Sequence, residues 1–309
     1  PAAIELGAEI RPNSTVYQIV SDSKGMIIGA NYYNVNGEPE FQPAKAVIVA
    51  CNGVGTPRML FNSHSDSHPN GLSNSSGLVG KNLMFHVYAR GSAVFQDLDW
   101  PTYRDPLACI LLCQEFYETD PQRDFKRGYS FQMSRGQGPA STAIANVTWG
   151  ENHHYDFEKI FGNNLGLGVI GDDLPEENNR VELDSRLADR FGIPAPKIFY
   201  KVSENSRKLL SHGVNSARTV LEAAGGTDFE ATYFSEKAGF HLMGTARMGE
   251  DPKRSVVNSF GQSHDVDNLF IVDGSVFVTG GAVNPTPTIQ AVALRTADYI
   301  RHKRTDLKS

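Results

Sequence analysis

Three stretches of the chain combine residues that do chemistry with turns that can present them. The first is His241, inside "GFHLMGTARMGE". An imidazole titrates near neutrality and can take up or release a proton. A lone histidine in such a stretch is more often a partly buried ring with its hydrogen bonds satisfied. The second is Asn284, between Gly280-Gly281 and the closing segment "NPTPTIQAVALRTADYIRHK". Its amide can hydrogen-bond a ligand, cap the helix behind it, or do both. Pro285 and Pro287 fall at the first turn of that helix, where a missing N–H costs nothing. The helix N–H groups and dipole therefore point at whatever occupies the Gly280–Asn284 turn. The third is "AKAVIVACNGVGTPRMLFNS". Its apolar run, Ala46 to Ala50, predicts a strand buried on both faces. A turn from Asn52 to Pro57 follows, and then a helix from Arg58. Glycines let a backbone approach a ligand, and a helix N-terminus favours phosphate or carbonyl oxygen. Plain strand-to-helix turns carry glycines as well.

These stretches need a frame. The N-terminus predicts a short helix, a turn at Gly7, a strand from Ala8 and a second from Thr15. It reads as the middle of a domain. Residues 15–35 alternate polar and apolar and predict a hairpin or meander. Residues 64–88 are rich in Gly, Ser and Asn and predict a connection between domains. From 89 to 235, strand-like pieces recur: "ARGSAVFQDL", "PLACILLCQEF", "RGYSFQMSRG", "STAIANVTWG", "LGLGVIGDDL" and "NRVELDS". "YDFEKIFG" is a short helix candidate. A long amphipathic helix runs from about Glu204 to Ala224 and is closed by Gly225-Gly226. An antiparallel sheet backed by a helix or two is the natural arrangement. "NLFIVDGS" predicts another buried strand, Asn268 to Val272, ending at Asp273-Gly274.

Composition excludes several classes. Hydrophobic residues make up 40% and charged residues 21%, as in ordinary globular proteins. The net charge of -6 and the scattered basic residues argue against nucleic-acid binding. No apolar run approaches ~18 residues, so no membrane span is expected. Cys51, Cys109 and Cys113 have no paired spacing, and neither a disulfide framework nor a metal site is expected. His153 and His154 read as a solvated pair, and Asp172, Asp173, Glu176 and Glu177 as a solvated acidic loop. His86, after "GKNLMF", reads as structural.

The combination H-x-M-G-T-x-R-M-G from His241, N-L-F-I-V-D-G-S-x-F from Asn268 and N-P-T-x-T-I-Q-A from Asn284 resembles the glucose-methanol-choline (GMC) flavin oxidoreductases. Within them it looks most like the sugar-oxidising branch, with pyranose 2-oxidase, glycoside 3-oxidases and gluconate or fructose dehydrogenases. "AKAVIVACNGVGTPRMLFNS", "GLVGKNLMFH" and "LPEENNRVELD" match the family in the same order, so the resemblance covers nearly the whole chain. The family's opening G-x-G-x-x-G, which cradles the FAD pyrophosphate, has no counterpart here.

The resemblance implies a mixed α/β (α+β) fold. It joins part of a Rossmann-type FAD domain to an antiparallel-sheet substrate domain. Residues 1–63 and 236–309 would belong to the FAD domain, 64–88 to a connection and 89–235 to the substrate domain. FAD is the implied cofactor, with a sugar or glycoside as substrate and O2 or another electron acceptor. An N-terminal FAD-binding segment, in the same protein or on another chain, is the implied partner. His241 would be the base and Asn284 the group that orients the hydroxyl. Asp273 and Gly274 would lie beside the pyrophosphate or ribityl. Pro285 and Thr286 would open the helix aimed at the flavin ring, where N–H groups stabilise negative charge. Val16, Asn52 and Gly53 would lie towards the adenosine end, although an ordinary strand Val and a plain turn serve equally well there. A non-redox lyase on the same scaffold and a non-catalytic fragment or binding module are the alternatives.

Overall fold

The computed structural model describes residues 1–96, 98, 101–103, 111–235 and 239–303. The chain opens with the short helix α1 (Ala2–Glu5) and a meander of β1 (Thr15–Ser21), β2 (Ile27–Tyr33) and β3 (Pro39–Pro43). Residues 8–14 form no strand. Strand β4 (Val47–Val49) leads into helix α2 (Asn52–Asn62), and β5 (Met84–Val94) enters the main sheet. Then come β6 (Leu112–Cys113), β7 (Tyr129–Ser134), the single turn α3 (Pro139–Ser141), α4 (His153–Ile160), β8 (Asn164–Asp172), β9 (Arg180–Ala188) and β10 (Pro194–Phe199). Helix α5 (Glu204–Ala223), β11 (Thr227–Thr232), β12 (Phe240–Met243), β13 (Leu269–Ile271) and α6 (Thr286–Lys303) complete the order. Among the described residues no helix is long and apolar enough to cross a membrane.

The largest sheet is antiparallel, in the order β11-β5-β8-β7-β6, with β12 also paired to β5. Its apolar face is covered by α5, as the amphipathic pattern predicts. Leu209, Leu210, Val214 and Ala217 pack on Val87, Ala89 and Val169. Gly213 allows that approach, because a Cβ there would lie 2.5 Å from Val169 Cγ1. Ser203 caps α5 by accepting the Ser206 N–H at 3.0 Å, and Gly225 ends it with φ of +91°.

A second core joins the meander to a parallel pair, β4 and β13, in register Leu269↔Val47 to Ile271↔Val49. The expectation for β4 holds on one side only. Val49 is buried on one face, but on the other Ile48 is 53% exposed, and β13 is the strand's one partner among the described residues. The stretch "STAIANVTWG" is not a strand. It continues α3 into a π-helical turn, Thr142–Asn146, where Pro139 at the first position favours a helical start. The first five residues of "PLACILLCQEF", including Cys109, lie outside the described residues, and Leu112–Cys113 form β6. Strand β5 begins at Met84 and so reaches back into the stretch expected to be a connection.

Helix α2 also differs from expectation. It starts at Asn52 and contains the glycines, with Pro57 inside it. Pro57 has no N–H to give the Gly53 carbonyl one turn earlier. That carbonyl accepts instead from Thr245 Oγ1 at 2.8 Å, so the helix survives the proline.

Asn268 ties the two parts of the second core together. Its Oδ1 accepts the Ile27 N–H at 3.0 Å. Its Nδ2 donates to the carbonyls of Ile27 and Lys45 at 2.8 and 2.9 Å. Replacing it with alanine would leave two buried backbone groups of Ile27 and the part-buried Lys45 carbonyl without this partner. Asn268→Ala is expected to lower stability by on the order of 2–3 kcal/mol, read by chemical denaturation, and a loss below about 0.5 kcal/mol would contradict this account.

Candidate functional site

His241 sits in β12, which is hydrogen-bonded to β5. Its φ is +59°, a left-handed backbone that non-glycine residues adopt rarely and that collects at functional sites. The irregular pairing explains the geometry. Phe240 pairs with His86 and Met243 with Met84, so two residues of β12 are out of step between them.

Glycines hold this kink close to its neighbours. A Cβ at Gly53 would lie 2.6 Å from the Leu242 carbonyl carbon, and one at Gly274 would lie 2.7 Å from the Leu242 oxygen. Gly244, with φ of +93°, has the Asn82 carbonyl 2.1 Å from where its Cβ would be. Side chains at these positions would push β12 away from α2 and from the 274–276 turn.

The ring of His241 meets His86. Their Nδ1 atoms are 2.8 Å apart, and the rings lie edge-on at 69°. His86 is fully buried, and its Nε2 lies 3.4 Å from the Gly280 carbonyl. Burial is the main cause that lowers the pKa of His86, to about 4, and the neighbouring His241 lowers it further. Burial also lowers that of His241. Both rings are therefore neutral at pH 7.

Behind them stands Asp172, opposite His86 in the β5–β8 register. Far from a solvated loop, Asp172 and Asp173 are 5% and 1% exposed at the end of β8. Asp173 is held by Tyr200 and Ser206, at 2.6 and 2.9 Å. Asp172 Oδ1 is buried with no hydrogen bond of good geometry, and Arg127 Nε is 4.0 Å from Oδ2. Burial raises the Asp172 pKa to about 6 against the pull of Arg127. Gly280 fits between the two groups: a Cβ there would be 3.2 Å from Asp172 Oδ1 and 3.6 Å from His86 Nε2.

Asn284 lies just before α6, in the same cavity as His241. Its Oδ1 accepts from Gln132 Nε2. The cavity, of about 1030 Å³, is bordered by Tyr88, Gln132, Arg135, Phe240, His241 and Asn284 among others. The loop carrying Asn284 is fastened to the sheet where Ser130 Oγ donates to the Ala282 carbonyl at 2.5 Å. Pro285 is buried, and Thr286 is exposed at the first turn of α6.

The remaining predicted residues fall at the ends of the parallel strands. Asp273 follows β13, and its carboxylate is fully engaged. It accepts from Ser275 N at 2.8 Å, Cys51 N at 2.9 Å and Thr56 Oγ1 at 2.6 Å. Asn52 follows β4 with φ of +65°, and its Oδ1 accepts the N–H groups of Val54 and Gly55. Val16 is exposed on β1. His153 stacks on exposed Trp149, and the described residues hold no group of His, Cys, Asp or Glu suited to a metal ion.

Residues 175–293 match the sequence model of GMC oxidoreductases, in their C-terminal domain. The chain carries the C-terminal region of a GMC oxidoreductase. It is 40% identical over 99% of its length to a 2-methyl-1,2-propanediol dehydrogenase of Mycolicibacterium austroafricanum, covering 57% of that protein. It is 30% identical over 96% of its length to a fructose dehydrogenase large subunit of Gluconobacter japonicus, covering 55% of it. The chain thus spans just over half the length of these relatives. The fold is similar to that of part of a formate oxidase from Aspergillus oryzae RIB40, with TM-score 0.67 and 16% identity over 95% of this chain and 61% of that one. GMC oxidoreductases are FAD-dependent, and that formate oxidase structure concerns modification of its FAD.

The residues present fit one part of such a cofactor. The long helix α6 presents an exposed first turn beside the cavity that holds His241 and Asn284, and helix N-termini favour negative charge. The α2 turn fits a phosphate less well, because Asn52 already takes its first N–H groups.

Asp172 and His86 have opposite effects on stability. Asp172 ionises at 3.8 unfolded and about 6 folded, so folding takes up a proton there between these values. This carboxyl therefore weakens stability as pH rises from about 4 to about 6. His86 is depressed from 6.5 to about 4, so stability falls as pH drops through that window. Comparing Asp172→Asn with wild type isolates the first effect. The variant is expected to gain stability relative to wild type as pH goes from about 4 to 6, by about 2–3 kcal/mol at most; parallel denaturation curves at all pH values would contradict this.

Proposed function

We propose that this chain is the catalytic and substrate-binding part of an FAD-dependent enzyme that oxidises a CH–OH group of a sugar or glycoside. The observation that carries the reading is the pair His241 and Asn284 on one cavity beside the start of α6. Membership of the GMC oxidoreductases and kinship with a fructose dehydrogenase large subunit support it.

Oxidation of an alcohol removes a proton from oxygen and a hydride from carbon; bound FAD supplies the hydride acceptor. His241 takes the hydroxyl proton, and its neutral state at pH 7 suits that task. Asn284 holds the same oxygen through its amide, with Gln132 fixing the orientation of that amide. Pro285 and Thr286 would face the flavin ring at the start of α6. Asn52-Gly53 and Asp273-Gly274 follow β4 and β13, at the strand ends where open α/β sheets bind ligands. With Val16 they would line the remainder of the cofactor.

The division follows: 1–63 and 236–309 on the FAD side, 89–235 around the substrate and 64–88 between them. An N-terminal FAD-binding segment, on the same protein or another chain, would complete the cofactor site. Exposed Ile48 on β4 supports this, since a parallel strand is normally covered on both faces. The electron acceptor is O2 or a further redox partner. A small diol is the second reading, favoured by the 40% identity to a 2-methyl-1,2-propanediol dehydrogenase. The cavity of about 1030 Å³ is at the top of the range for small-molecule sites and favours the larger substrate.

The test is the flavin absorbance of the natural holoprotein mixed with pyranoses without air. Bleaching by a sugar supports the reading, bleaching by diols alone selects the second, and bleaching by neither overturns both. His241→Ala is expected to lower kcat/KM by roughly 10²–10⁴-fold, and Asn284→Ala by a smaller factor. Since burial lowers the His241 pKa, the base stays unprotonated to lower pH, and the acid limb of kcat/KM against pH is expected below 6.5. An acid limb above 7 would assign the base elsewhere.

A further inference from the structure

His86 does not border the cavity that holds His241, yet it is the one side chain hydrogen-bonded to the ring of His241 among the described residues. What it imposes follows from which atoms can donate. The Gly280 carbonyl, 3.4 Å from His86 Nε2, can only accept. A neutral His86 therefore carries its hydrogen on Nε2 and leaves a lone pair on Nδ1. At 2.8 Å, that lone pair requires a donor, and the group facing it is His241 Nδ1. A neutral His241 that donates from Nδ1 has its lone pair on Nε2.

We propose that His86 is a positioning residue, whose buried Nδ1 fixes His241 in the tautomer that leaves Nε2 open to a substrate proton. The inference rests on the reading of His241 as the base. During turnover the substrate O–H bond breaks and an Nε2–H bond forms. The resulting imidazolium keeps its Nδ1–H on His86, so its charge arises next to an acceptor already in place. No proton needs to pass to His86.

The surroundings keep His86 neutral. The charged and titratable groups around the pair are Asp172 from β8, with Arg127 behind it, and Tyr88 and Arg135 across the cavity. Asp172 Oδ1 has no hydrogen-bond partner, so His86 Nε2 faces backbone carbonyls, Gly280 at 3.4 Å and the adjacent Gly281, which can only accept. A protonated His86 would turn its Nδ1 into a donor and force His241 to expose an N–H, which cannot accept a proton. Burial opposes that protonation.

Two measurements on the natural holoprotein test this. The first is the ring-nitrogen NMR spectrum of protein labelled with ¹⁵N-histidine, recorded near pH 8. The expected result is an Nδ1–H, Nε2-lone-pair tautomer for His241. An Nε2–H tautomer overturns the proposal, and no turnover is needed to see it. The second compares His86→Phe, which keeps the ring but removes the acceptor, with His86→Asn, whose Oδ1 can stand in for Nδ1. His86→Phe is expected to move the His241 tautomer towards Nε2–H and to lower kcat roughly 10- to 10³-fold, with a shifted acid limb. His86→Asn is expected to restore much of both. A folded His86→Phe protein with wild-type tautomer and pH profile overturns the proposal. Failure of the base reading would show separately, as retained activity in His241→Ala.

Discussion

Everything at the candidate site depends on how closely backbones crowd around Leu242. Gly53 from α2 and Gly274 from the turn after β13 press on its carbonyl with no side chain between them. Gly244, two residues on, is pressed against Asn82 in the same way. Contact at this range leaves β12 one path, and the left-handed backbone at His241 is its consequence. Such strain persists only where the surroundings over-determine it. Here they do, since the parallel strands, α2 and the main sheet all converge within a few residues.

The second organising feature is a line of polar groups that are buried but not ion-paired at close range. His241, His86, the Gly280 carbonyl and Asp172 follow one another from cavity to interior. Two neutral rings limit the cost of burial, and the raised pKa of Asp172, about 6, shows what burying its charge costs. Burying the same groups charged would be far more costly. The histidine pair therefore resists taking on charge at rest, which suits a place where positive charge is created only during reaction.

Much of this was legible in the sequence. The glycines before α6, the prolines opening α6 and the amphipathic α5 each carry a local physical signal, and each lies where it was expected. His241 and Asn284 could be paired because their motifs are distinctive. Other features had no local signal. His86 lies 155 residues from His241, and only the β5–β12 pairing brings them together. Asp172 and Asp173 read as a solvated run because adjacent acids usually are; strand β8 instead carries them inward, where Tyr200, Ser206 and a glycine turn receive them. The start of α2 was misjudged because Pro57 looks like a helix opener. Its real context is Thr245, which satisfies the carbonyl that the proline cannot.

Strand β5 has a mechanical meaning. It is continuous from Met84 to Val94. Its first residues carry His86 and pair with β12, and its last pair with β11 and β8 near the end of α5. A strand paired with β8 without a break from His86 to Val94 has no joint. Any tilt of the large sheet would drag His86, and with it the ring of His241, by a comparable angle. Opening and closing around a substrate must therefore be left to the loops at the cavity's rim, while the histidines ride on a stiff beam that holds their separation constant.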